Sequence, residues 1–96
     1  MVRVREAQSP KHLVRLTGDY DLTRKEELAT LFAQLADDRE VVIDMGDVTY
    51  IDSTVLRELA ALHGKNPLRA VSLFGVEESI RRILCIVGFD RILNIV

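Results

Sequence analysis

The chain's 96 residues provide for one compact domain, 1–96, and leave no length for a second of typical size. Hydrophobic residues at 48%, charged residues at 29%, five Gly and two Pro exclude disordered and fibrous classes and give enough apolar surface for a core. Thirteen basic against fifteen acidic residues leave a net charge of -2, which exerts no general pull on nucleic acid or an anionic membrane, so neither is an expected partner.

Val2 and Val4 alternate with Arg3 and Arg5, and beyond a Ser9-Pro10 turn a second short run, Leu13-Val14-Arg15-Leu16, ends at Thr17-Gly18. Two strands joined by a turn fit this alternation. Thr23 precedes Glu26 at capping-box spacing, and Leu28, Leu31, Phe32 and Leu35 recur at helical intervals, which predicts an amphipathic helix over about 23–37. Val41-Val42-Ile43-Asp44-Met45 is too short for a helix and apolar enough for a central strand covered on both faces. Gly46-Asp47 is expected to turn the chain. Val48-Thr49-Tyr50-Ile51 then leads into Asp52-Ser53-Thr54, three residues that favour helix N-caps.

The helix that starts there keeps Val55, Leu56, Leu59 and Leu62 on one side and is expected to end at His63-Gly64, with Gly64 as cap and Asn66-Pro67 preventing continuation. Val71-Ser72-Leu73-Phe74 reads as a further buried strand. Glu77 and Glu78 suit the positive start of a third helix, whose inward face is Ile80, Ile83, Leu84 and Val87 and which ends at Gly88. A last strand is expected within 91–96. The order ββαβαβαβ on short loops predicts an α/β domain with a mostly parallel sheet of four to five strands and right-handed crossovers.

A parallel sheet carries its functional loops at the carboxyl ends of the strands, so Asp19, Asp21, Asp47, Asp52 and Ser53 are expected in one neighbourhood. Two readings of Ser53 follow from its place at a helix start. Asp52 or Ser53 caps the helix, as such residues commonly do. Alternatively the hydroxyl accepts a phosphate, whose charge the helix dipole and free N–H groups would tolerate while the neighbouring carboxylates opposed it, so that modification would change the surface and its partners.

The passage Val41-Val42-Ile43-Asp44-Met45-Gly46-Asp47-Val48-Thr49-Tyr50-Ile51-Asp52-Ser53-Thr54-Val55-Leu56 resembles the signature segment of the STAS domain, the fold of bacterial anti-sigma factor antagonists. Leu16-Thr17-Gly18-Asp19-Tyr20-Asp21 resembles the family's Leu-Thr-Gly-Glu-Leu-Asp turn. Ser79-Ile80-Arg81-Arg82-Ile83-Leu84 with Val87-Gly88-Phe89 is similar to its helix that ends at Gly before a large apolar residue. The resemblance implies that an anti-sigma factor with serine kinase activity phosphorylates Ser53, with Thr54 as second choice, and that a phosphatase reverses it. It further implies that the unmodified domain binds the anti-sigma factor, and that Asp21 and Asp52 shape the docking surface. The family usually has Gly directly after the two hydroxyl residues and often again two positions on, where this chain has Val55 and Arg57; both are expected at the partner surface, altering it. Related domains also serve as scaffolds in stress-signalling assemblies or as subunits of lipid transporters, which is the alternative expectation.

Other chemistries fit less well. His63 lies ten residues along the same helix, about 15 Å from Ser53 at 1.5 Å per residue, His12 is expected exposed on an early strand, and there is no Gly-x-Ser-x-Gly elbow, so no enzyme activity is expected. Asp44, Asp47 and Asp52 could hold Mg²⁺ as in phosphotransfer domains, but they read as turn and cap residues, and no basic residue ends the Val71–Phe74 strand. The glycines are isolated, giving no phosphate-cradling loop, and neither a metal nor another cofactor is expected. Cys85, the single cysteine, excludes an internal disulfide and is expected as a small buried hydrophobe, with Arg81-Arg82 a solvated pair. No signal-like or spanning segment is present in this sequence, so a cytoplasmic location without membrane insertion is expected.

Overall fold

A computed structural model describes residues 11–35 and 37–96. The chain forms β1 (His12–Tyr20), α1 (Lys25–Ala33), β2 (Val41–Ile51), α2 (Ser53–Lys65), β3 (Val71–Phe74), α3 (Glu78–Ile86) and β4 (Asn94–Ile95), with single 3-10 turns at Leu22–Arg24 and Phe89–Arg91. The expected first strand around Val2 and Val4 lies outside the described residues. The four strands run in the order β1-β2-β3-β4, all parallel, as the alternation of strand and helix predicts.

Consecutive strand order with crossovers of one hand carries all three helices to one face of the sheet, and burial follows that asymmetry. Val14, Leu16, Val41, Ile43, Met45 and Leu73 point into the core; Leu13, Arg15, Asp44 and Phe74, on the other face, are exposed. Among the described residues β2 is therefore covered on one face only, not on both as its apolar run suggested. The helices supply Leu28 and Phe32 from α1, Val55, Leu59 and Leu62 from α2, and Ile80 and Leu84 from α3.

Several boundaries differ from expectation for local reasons. β2 does not turn at Gly46-Asp47 but continues through a bulge: Arg15 pairs with Asp44 and Thr17 with Asp47, so β2 spends one more residue than β1. The Gly46 N–H donates to the Asp44 carboxylate at 2.9 Å. A Cβ on Gly75, itself at φ +68°, would stand 3.1 Å from Gly46 Cα, so the bulge and the turn into α3 approach backbone to backbone. Thr23 does not cap α1; Asp21 does the capping one turn earlier, accepting the Thr23 N–H at 2.9 Å and starting the 3-10 turn. Gly64 lies inside the last turn of α2, whose cap is Asn66. Gly88 does end α3, at φ +86°. The last strand shrinks to two residues because 89–91 curl into a 3-10 turn.

Three side chains expected elsewhere are also relocated. Cys85 is exposed, since the core-facing side of α3 is filled by Ile80 and Leu84. His12 is half-buried and shares a 2.8 Å hydrogen bond with Asp37. Arg81 is half-buried and donates to the Val96 carbonyl at 2.7 Å, leaving Arg82 as the solvated member of the pair.

Candidate functional site

The carboxyl edge of the sheet is built from two adjacent strand ends with the same local design. Tyr20 of β1 and Ile51 of β2 are register partners, both buried, and each is followed by an Asp in extended conformation. The Asp21 carboxylate accepts the Thr23 N–H at 2.9 Å, and the Asp52 carboxylate accepts the Thr54 N–H at 2.8 Å. Each Asp thus satisfies one of the N–H groups that a helical turn leaves without an internal partner. The residue between Asp and Thr faces solvent in both: Leu22 in the first turn, Ser53 in the second.

Ser53 is the first residue of α2, and its exposure follows from the helix's own pattern. Thr54 and Val55 belong to the apolar side that continues through Leu59 and Leu62. Thr54 is 5% exposed and Val55 1%. Both were expected at the partner surface, with Thr54 as second phosphoacceptor; their side chains instead face the core, because they share a helical face with Leu59 and Leu62. Arg57, one turn beyond Ser53, is exposed.

Around these two turns the carboxylates are held in defined contacts. Asp19 accepts a hydrogen bond from the Thr49 hydroxyl across the strands, and Asp47 pairs with Arg15 beside the bulge, farther back along the sheet. The Thr23 hydroxyl, together with the Thr23 N–H, holds the Asp21 carboxyl below its ordinary range. The Asp47 carboxylate raises the Arg15 guanidinium. Asp19, Asp21, Asp52 and Ser53 therefore gather at one edge, whereas Asp47, expected with them, stands apart beside the bulge because it pairs with Thr17 and Arg15.

Sequence reasoning missed three contributors. Leu22 is 68% exposed and Tyr50, the register partner of Asp19, is 51% exposed, so the edge displays apolar surface amid its carboxylates. The available signal was a large apolar residue within two positions of each capping Asp, Leu22 after Asp21 and Tyr50 before Asp52. Arg24 supports the edge from beneath, donating to the Tyr20 hydroxyl at 3.1 Å and to Glu27 at 2.7 Å while its guanidinium lies 3.8 Å from the Tyr20 ring centroid. A cation on the face of a buried tyrosine was not to be read from spacing alone.

Among the described residues no group of three or more His, Cys, Asp or Glu could hold a metal ion. His12 opens β1 at the opposite end of the sheet, and His63 sits near the far end of α2, so neither neighbours the Ser53 hydroxyl. No helix among the described residues is long and apolar enough to cross a membrane. Chemically, the edge offers an accessible hydroxyl among fixed carboxylates and exposed apolar groups. Residues 4–95 match a protein-family model described as "Mlab, STAS domain".

Proposed function

This chain belongs to the STAS domain family, and on that footing we propose that it is an anti-sigma factor antagonist whose docking edge is switched by phosphorylation of Ser53. The observation that carries this reading is the exposed Ser53 hydroxyl between the Asp52 cap and the inward-facing Thr54. In the unmodified state the edge binds an anti-sigma factor, with Leu22 and Tyr50 supplying apolar contact and Asp19, Asp21 and Asp52 supplying the polar rim. The anti-sigma factor acts as kinase. Ser53 Oγ gives up its proton to the kinase's base and bonds to the γ-phosphorus of ATP as that phosphorus leaves the β–γ bridging oxygen, releasing ADP. The added charge of about -1.5 to -2 beside Asp21 and Asp52 then repels an edge-binding partner, and a phosphatase restores binding. The domain performs no catalytic step itself.

Incubation with the anti-sigma kinase and ATP, followed by intact mass measurement, tests the reading. Wild type gains one phosphate and Ser53→Ala gains none; equal uptake by both, or none by wild type, removes Ser53 as acceptor. A second reading, a non-switching scaffold or transporter subunit, draws on the family model's description and on Val55 and Arg57 standing where glycines are usual. It expects stable partner complexes that neither Ser53→Ala nor Ser53→Asp disturbs.

A further inference from the structure

Most arginines of the described chain are committed. Arg15, Arg24, Arg39 and Arg82 each pair with a carboxylate, while Arg69 and Arg81 donate to backbone carbonyls. Arg57 is an exception: it is exposed and has no carboxylate or carbonyl partner among the described residues. Its own helix offers it nothing. The positions three and four residues away are Ser53, Thr54, Ala60 and Ala61, of which Thr54 is buried and the alanines carry no polar group. Of these four positions Ser53 is the one exposed side chain that can acquire charge.

We propose that Arg57 is the internal partner of a phosphate on Ser53, and that modification therefore withdraws two side chains from the docking edge instead of one. The inference rests on the reading of Ser53 as phosphoacceptor. Ser53 and Arg57 are four residues apart on one face of a 13-residue helix, with the acidic member on the N-terminal side, the more favourable orientation for such a pair. A guanidinium presents two N–H groups in a planar fork that matches two phosphate oxygens. Asp52, which accepts the Thr54 N–H, stands five residues from Arg57 and makes no ion pair with it. Before modification Arg57 is available to a partner; afterwards it folds back one turn onto the phosphate. Arg57 thereby gives the switch a second contact to remove.

The test installs phosphoserine at position 53 during synthesis, so that it needs no kinase, and follows the phosphate's ³¹P shift against pH in the full chain. Arg57 favours the dianion, so the midpoint should lie about 0.2–0.4 pH units lower with Arg57 than in Arg57→Gln, and the gap should close in high salt. Asp21, Asp52 and Glu58 are present in both proteins and contribute the same background. Arg91, also exposed and without a side-chain partner among the described residues, is the control: Arg91→Gln should leave the midpoint in place. Coincident midpoints for wild type and Arg57→Gln, or an equal displacement by Arg91→Gln, would overturn the pairing. Either outcome is separate from the kinase experiment, because a chain that no kinase modifies can still show the pairing, and a modified chain can lack it.

Discussion

Ser53 and Thr54 are adjacent hydroxyls with opposite surroundings, and one carboxylate separates them. Asp52 fixes the start of α2 by accepting the Thr54 N–H, which turns Thr54 inward and leaves Ser53 in solvent. Asp52→Ala should cost about 1 kcal/mol in urea unfolding through loss of the cap. Asp52→Asn, which can cap equally well, should restore that stability while removing a charge from the carboxyl edge of the sheet. Arg69 is the other residue whose role is set by its surroundings. It is 6% exposed, and its guanidinium donates to the Leu35 and Asp37 carbonyls in the chain that leaves α1 and to the Leu62 carbonyl in the last turn of α2. Arg69→Ala removes the donor from the buried Leu35 and Leu62 carbonyls and should destabilise the fold by about 3 kcal/mol, read as a lowered urea midpoint. Nothing in the sequence around Asn66-Pro67-Leu68-Arg69 announced this burial, because it arises only when two helix ends converge on one side chain.

At the scale of elements, the bulge in β2 and the turn before α3 form one joint. Gly75→Ala would force φ +68° on a residue with a Cβ and press that atom to 3.1 Å from Gly46 Cα, so it should cost on the order of 2 kcal/mol. Thermal unfolding of the variant against wild type checks this; an unchanged melting temperature would mean that the two backbones are not in contact. The joint also shows where sequence reading succeeds and where it stops. α2 was legible because Asp52-Ser53-Thr54 supplies a cap and Val55, Leu59 and Leu62 keep helical spacing. Gly46-Asp47 was misread because a bulge and a turn draw on the same residues, and only the partner strand's register tells them apart. Cys85 misled for a related reason: α3 has more apolar residues than inward positions, and Ile86 beside it is 77% exposed. The edge carrying Ser53 could be located from strand order and Arg57 was expected on it, whereas Leu22, Tyr50 and the absence of a described partner for Arg57 required knowing which side chains face outward.

The whole molecule should be acid-sensitive, and the responsible groups are distributed over it. Hydroxyl and backbone donors hold Asp21 and Glu77 below their ordinary 3.8 and 4.5, Arg24 does so for Glu27, and the Arg39 N–H with His12 does so for Asp37. A carboxylate with a depressed value binds its proton more weakly folded than unfolded. Its contribution is complete above the ordinary value and is lost as pH falls through the lower one. Urea midpoints should therefore be level between pH 6 and 7 on this account and fall steadily below about pH 4.5. Thr23→Val combined with Ser79→Ala, which removes the two hydroxyl donors, should flatten that fall.

The strictly parallel pairing of β1 to β4 carries a kinetic consequence. Strands joined side by side in the same direction cannot zip from a tight turn, so β1 meets β2 only after residues 21–40 have looped back, and each later strand waits on its own crossover. Helices can flicker into existence long before that, but the ladder that aligns Tyr20 with Ile51 is assembled late. The edge bearing Ser53 should thus be absent from early compact states, and any partner of the kind proposed above would meet it only on chains that have completed the sheet.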